Sequence, residues 1–262
     1  MDTFVKGMNV IVTGGSSGIG LETARLFLQE GARVAICGRD AGRLAAAANN
    51  LGGQSDKLIA QQCDVLAKDQ ISAFVDRVKA SFGGIDILIN NAGQGRVSTF
   101  KDTNDDAWRA EYDLKLFSII HPTRAALPML EEAKHAAIVC INAVLARQPE
   151  SHMIATSSAR AGVLNMVHSM AKEFAPMGIR VNSILLGLVE SGQWHRRHSE
   201  QADSGETFES WSRTLAVSKG IPIGRLGKPE EAARAIFFLA SPLSSYITGT
   251  ALEVSGGVSR YA

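Results

Sequence analysis

Several groups of residues in this 262-residue chain carry types and spacings suited to chemistry. The first is Gly14-Gly15-Ser16-Ser17-Gly18-Ile19-Gly20, which follows the β-branched run Val10-Ile11-Val12. A helical pattern (Leu21, Ala24, Leu26, Phe27, Leu28) begins directly after it. Strand, glycine turn and helix in that order set bare helix N–H groups against an anion such as a phosphate. Gly14 and Gly18 reach backbone angles closed to other residues, and Gly18 and Gly20 leave room for close approach. The plain alternative is a tight turn. A second group is basic. Arg39 follows a second strand, with Gly38 at the strand end where an NAD-binding protein places a carboxylate. The forked donors of an arginine suit a 2′-phosphate, although a solvated arginine near a helix start fits the same position. Asp64-Val65 closes a third strand, where it either meets an adenine edge or caps a turn.

Two further features stand out. Lys115 shares a helical stripe with Trp108, Tyr112 and Ile119, and it is the only cation on that stripe. Either its stem lies along the surface while its charge pairs with Glu111 in water, or its amine points into a cleft. Trp194-His195-Arg196-Arg197-His198 is a basic-aromatic cluster. It reads as a solvated face or as a selector of anionic substrates.

The elements that must position these residues alternate. Strands are expected at 10–12, 34–37, 57–62, 85–89, 136–141, 179–185 and 251–254. Helices are expected after the glycine turn, from the Asp40 N-cap to about Gly52, and over 66–82, 104–132, 152–174 and 229–240. Residues 188–220 are polar and show no clear period. Repeated strand–helix alternation predicts an α/β fold with a parallel sheet and helices on both faces. In such sheets ligands sit at the carboxyl ends of the strands, which is where Arg39 and Asp64 fall. No repeat, low-complexity tract or linker interrupts the pattern, so one domain over 1–262 is expected.

Composition narrows the classes. Apolar residues make up 45% and charged residues 20%, as in a globular chain. A formal net charge of +1 offers no electrostatic case for nucleic acid or a membrane surface. No apolar run approaches the ~20 residues of a membrane span, and the first residues lack a signal-peptide pattern. Cys37, Cys63 and Cys140 are odd in number and widely spaced, which fits reduced buried thiols in a cytoplasmic protein and no metal site.

With these residues in view, the chain resembles the short-chain dehydrogenase/reductase family over nearly its whole length. The resemblance rests on Thr13 to Gly20, Asp64-Val65, Asn90-Asn91-Ala92-Gly93, Arg180-Val181-Asn182-Ser183-Ile184, Gly187-Leu188-Val189, Ile247-Thr248-Gly249 and Leu252 to Gly257. It implies a Rossmann-type, doubly wound, seven-stranded sheet, with 188–220 as a substrate lid. It implies a homotetramer built through the two long helices, the second of which carries small residues (Ala155, Ser158, Ala159, Ala161, Gly162). It also implies a nicotinamide cofactor held by Gly14, Ser16, Ser17, Gly18, Ile19, Gly20, Arg39, Asp64, Val65, Asn91, Ala92, Gly93, Arg160, Gly187 and Val189. A basic residue after the second strand implies NADP(H) in preference to NAD(H).

The family's catalytic residues are absent. Its enzymes use an Asn on the fourth helix, a Ser after the fifth strand, and a Tyr-x-x-x-Lys pair on the next helix. Those positions hold Lys115, Ala143, Thr156 and Arg160, and Leu186 replaces the usual proline before Gly187. Ala143 has no donor, and Thr156 has a hydroxyl on a short arm without a phenol's acidity. Losing an oxyanion donor costs roughly 10²–10³ in rate, and losing a general acid roughly 10²–10⁴. Arg160 can bond a cofactor ribose but does not deprotonate. Halohydrin dehalogenases share an Arg here but keep Tyr and lack the glycine turn. His152, one helical turn before Thr156, either joins the site or lies at the surface. Lys115 would share the site with Arg160, and desolvation plus that positive charge would lower its pKa. On this reading Lys115→Met leaves stability equal or higher. Three functions follow. The first is an NADP(H)-binding oxidoreductase with a non-standard site, whose substrate is an imine, an activated alkene or an unusual carbonyl. The second is a catalytically silent cofactor-binding sensor or partner subunit, and the third a lyase or hydrolase. The intact glycine turn and Asn-Asn-Ala-Gly favour the first two.

Overall fold

The computed structural model describes residues 4–53, 55–201 and 205–260. Seven parallel strands form one sheet: β1 (Asn9–Thr13), β2 (Arg33–Gly38), β3 (Leu58–Gln62), β4 (Ile87–Asn90), β5 (Ala137–Ala143), β6 (Arg180–Leu186) and β7 (Ala251–Val254). Their spatial order is β3-β2-β1-β4-β5-β6-β7. β1 is buried along its whole length. A continuous apolar run of this kind suits a strand covered on both faces. The helices are α1 (Gly18–Gln29), α2 (Ala41–Asn50), α3 (Lys68–Phe82), α4 (Asp105–Glu132), α5 (Ile154–Phe174), α6 (Gly192–Gln201), α7 (Phe208–Ser218) and α8 (Pro229–Ala240).

The sheet divides the core in two. Phe74, Val75, Val78, Leu130, Val163 and Val167 fill one side beneath α3, α4 and α5. Phe27, Leu44, Ala47, Ile236 and Leu239 fill the other beneath α1, α2 and α8. Element ends follow local chemistry. The Asp40 carboxylate accepts from Arg43 N–H at 2.8 Å and starts α2. Gly83, at φ 87°, ends α3. Asn104 accepts from Ala107 N–H at 2.9 Å and starts α4. All three cysteines are free and buried, and burial pushes the Cys140 thiol up to about 12.

Two expectations change here. The helix expected from His152 begins at Ile154. The preceding residues instead pair with the segment after β4: Ser98 N–H donates to the His152 carbonyl at 2.8 Å, and Ile154 N–H to the Ser98 carbonyl at 3.1 Å. The stretch 188–220 contains α6 and α7 rather than irregular chain. Its period is hidden because those helices pack on each other through aromatics and histidines, which do not read as an apolar stripe. His195 stacks on Phe208 at 4.0 Å, and Trp194 meets Trp211 at 6.4 Å.

The crevice forms where the neighbours of β1 diverge, with β2 on one side and β4 on the other. Thr13 ties its floor together. Its hydroxyl donates to the Ile89 carbonyl at 3.3 Å and accepts from the N–H groups of Asn91 at 3.0 Å and Ala92 at 3.1 Å. The Asn91 side-chain amide returns to the carbonyls of Thr13 and Gly14 at 3.0 and 3.1 Å. Thr13→Val keeps the shape and leaves two N–H groups without their acceptor. We expect a loss of about 2 kcal/mol in urea unfolding, from a range of ~1–3 kcal/mol for an orphaned buried group. An unchanged midpoint would refute this account of the floor.

Candidate active site

The crevice encloses about 350 Å³. One end is built for phosphates. Ser17, the N-cap of α1, makes no side-chain cap bond, so the first turn keeps free N–H groups. Gly18, at φ 53°, faces open space where a Cβ would stand. At Gly20 a Cβ would lie 2.4 Å from both the Asn91 side-chain amide and the Gly14 carbonyl, so only glycine lets α1 begin there. Arg39, Arg43, Asp64 and Val65 line the far wall. Asp64 lines the crevice, and its carboxylate caps the turn by accepting from Leu66 N–H at 3.0 Å. A Cβ on Gly38 would sit 3.0 Å from the Ser16 hydroxyl, so a strand-end carboxylate is crowded out. Arg43, in the first turn of α2, joins Arg39 on this wall and is an addition to the residues expected from the sequence.

Gln94, Lys115, Ser118, Arg160, Leu186, Val189, Glu190 and Ser191 line the other end. Lys115 is 4% exposed and Glu111 3% exposed. Lys115 Nζ lies 2.8 Å from Glu111 Oε1 and donates to the Gln94 carbonyl at 2.6 Å. Thr156 Oγ1 donates to the same Glu111 Oε1 at 2.5 Å and accepts from Arg96 N–H at 3.4 Å. Arg160 Nη1 donates to the Ile141 carbonyl at 2.8 Å, and its Nε has no partner. Burial, then the Arg160 charge, bring Lys115 down to about 8, while Glu111 opposes the fall. Burial brings Arg160 down to about 10. At neutral pH the amine is therefore largely charged and near the point of losing its proton.

A family model described as enoyl-(acyl carrier protein) reductase matches residues 14–259. The chain belongs to the short-chain dehydrogenase/reductase family. It is 34% identical over 261 residues to a 3-oxoacyl-[acyl-carrier-protein] reductase of Chlamydia muridarum, covering 98% of this chain and all of that one. A short chain oxidoreductase from Pseudomonas aeruginosa PAO1, described as containing an atypical catalytic centre, is 56% identical. Its apo structure matches with a TM-score of 0.95 over all of both chains. Its NADPH-bound structure matches at 0.93 over 98% of this chain and 99% of that one. L-Sorbose reductase from Gluconobacter frateurii, complexed with NADPH and L-sorbose, matches at 0.93 with 30% identity over all of both chains.

Of the four positions that the resemblance assigns to the family's catalytic residues, Lys115 and Arg160 line the crevice. Ala143 does not, and Thr156 is fully buried beneath the segment after β4, its hydroxyl held by Glu111 and Arg96. His152 also lies outside. It sits in a turn before α5, its side chain is 47% exposed, and it faces Glu150 at 3.8 Å. Gly187 is a packing glycine, where a Cβ would stand 2.8 Å from the Ser255 backbone. The Trp194–His198 cluster packs α6 on α7. Among the described residues of the 188–220 region, Val189, Glu190 and Ser191 line the crevice.

The Lys115 stripe also shifts. Glu111, Lys115, Ser118, Ile119 and Pro122 are the buried face of α4. Tyr112 is 36% exposed, and its hydroxyl donates to Ser158 Oγ at 3.1 Å. Glu111, expected at most as a solvent-side partner, is thus the residue the sequence reading missed; its i, i+4 spacing to Lys115 was the signal. Its burial reverses the expected effect of Lys115→Met. Removing the amine leaves a carboxylate buried beside it unpaired, and breaking such a pair costs about 3–5 kcal/mol. We expect Lys115→Met to be destabilised by about that much at pH 7. Wild-type stability at pH 7 in urea unfolding would refute this.

Proposed function

We propose that the chain is an NADP(H)-dependent oxidoreductase in which Lys115, not a phenol, supplies the proton. The observation that carries this is a buried lysine amine lining the same crevice as the glycine turn. The chain's residues fit the cofactor. The free N–H groups of α1 and the open face of Gly18 suit a pyrophosphate. Arg39 and Arg43 suit a 2′-phosphate, and the NADPH-bound structures of two relatives support that choice. Arg160 stands where it can donate to a ribose hydroxyl. When bound, the nicotinamide supplies or accepts hydride. Lys115 uses two of its three donors on Glu111 and Gln94, which leaves one N–H for a substrate atom that gains electron density.

The substrate reads as an imine, an activated alkene or an unusual carbonyl, groups that need less help than a plain ketone. Glu111 beside Lys115 and Glu190 on the crevice wall balance Lys115 and Arg160, so the anionic small molecule that the sequence allows rests on the basic Trp194–His198 stretch alone. The outer faces of α4 and α5, with Tyr112 and Phe117 exposed, suit the homotetramer that the resemblance implies. Among the described residues no helix is long and apolar enough to cross a membrane. A second reading, a silent cofactor-binding subunit, is favoured by the engagement of Thr156 away from the crevice.

Two experiments test these readings. Calorimetric titration should show NADPH binding tighter than NADH. Arg39→Ala should weaken NADPH by about tenfold or more, in the range of a lost charge-assisted contact, with NADH little changed. Equal affinities in wild type would sink the NADP(H) assignment. A cofactor-oxidation screen should show negligible turnover of simple secondary alcohols and ketones, and turnover of at least one imine or enone that Lys115→Met lowers by about 10² or more. Turnover that survives Lys115→Met rules out the lysine. No turnover on any class, with tight NADPH binding, selects the silent reading.

A further inference from the structure

The proton-donor reading explains Lys115 but leaves Glu111 without a function. A carboxylate so deeply buried is unfavourable unless it is paired and hydrogen-bonded. Glu111 Oε1 takes two donors from two helices, Lys115 from one turn further along α4 and Thr156 from the first turn of α5. We propose that Glu111 is a positioning residue for the reaction, holding the Lys115 ammonium at the crevice wall and keeping it charged until a substrate takes its proton. This rests on the reading of Lys115 as proton donor.

Charges around the amine make the carboxylate necessary. Two charged groups face Lys115: Glu111 on its own helix and Arg160 on α5. The segment after β4 offers the Gln94 carbonyl. Without Glu111, burial and the Arg160 cation both act against the ammonium, and a single carbonyl is left to favour it. The neutral amine that results is a far weaker acid. Geometry adds to charge. Thr156 Oγ1 on the shared oxygen limits the carboxylate to one orientation, and Arg96 N–H in turn holds that hydroxyl. The segment 94–98 is thereby tied to Glu111's two donors, to Lys115 through the Gln94 carbonyl and to Thr156 through Arg96 N–H. In the reaction an N–H bond of Lys115 breaks and the proton passes to the substrate atom made basic by hydride transfer. The neutral amine is left beside a carboxylate, which favours taking a proton back from solvent.

The test reads protonation directly. In protein labelled with 13C at lysine Cε, the Lys115 resonance is the one missing from Lys115→Met. Its titration midpoint in wild type should fall near 8. Glu111→Gln keeps the shape and removes the charge, and should lower the midpoint by about one pH unit or more, the usual effect of removing an opposite charge within contact. Glu111→Asp, which pulls the carboxylate back, should lower it by less and serves if the Gln variant does not fold. Where a substrate has been found, the high-pH limb of its turnover should move down by the same amount. A midpoint that stays or rises without the Glu111 carboxylate overturns the inference. The titration needs no substrate, so its failure is distinct from failure of the oxidoreductase reading. Turnover that depends on Lys115, with a midpoint indifferent to Glu111, would keep that reading and discard this one.

Discussion

Every residue that lines the crevice owes its place to the divergence at β1. A parallel sheet sends all its carboxyl ends to one edge, and only where the chain turns to opposite sides of a strand do those ends part and leave a gap. Here that strand lies between β2 and β4, and the gap opens at Gly14 and Asn91. The loops on its two sides are not independent. Thr13 and Asn91 exchange hydrogen bonds through side chain and backbone, so the glycine turn and the Asn-Asn-Ala-Gly turn move as one body. That body carries the start of α1 on one side and the segment running to Gln94 on the other. A geometry fixed at the phosphate end is passed to the end that holds Lys115.

The second constraint is charge. Lys115, Arg160 and Glu111 are drawn from two helices into a space that excludes most water. None of the three is stable there alone, because a buried charge needs a partner and further hydrogen bonds. The chain supplies them with backbone carbonyls at Gln94 and Ile141 and with the hydroxyl of Thr156. The arrangement is a polar network in which each member uses a neighbour already held by something else. Arg160 keeps one buried nitrogen free. That position suits a ligand oxygen, since an unfilled donor in such surroundings is unfavourable until it is bonded.

The fold was largely legible because it rests on signals that do not need tertiary context. β-branched runs ended by glycines mark the strands, Asp40 and Pro229 mark helix starts, and the motifs come in the family's order. α6 and α7 were not legible, because Trp194, His195, His198, Phe208 and Trp211 meet each other across two short helices and leave no apolar period. The phosphate end was legible in Gly14, Gly18 and Arg39, where backbone freedom and charge are properties of single residues. The reaction end was legible only as a set of replaced positions. Which of them face the crevice depends on how the segment 94–98 lies over α5. No local pattern announces that Ser98 pairs with the residues before Ile154 and covers Thr156.

That covering connects two of the four replacements, Thr156 and Lys115. A tyrosine at position 156 would have to send its ring through the space that the 94–98 segment now fills, for Thr156 is fully buried and its oxygen lies within bonding distance of Glu111 and Arg96. The segment that covers the short Thr156 side chain also presents the Gln94 carbonyl to the Lys115 amine. Lys115 in turn satisfies Glu111, which otherwise has no cation on its own helix face. The Arg160 guanidinium is anchored to the Ile141 carbonyl on β5 and lines the crevice. On the reading proposed for Lys115, the proton donor belongs to α4, whereas the resemblance puts the family's on α5.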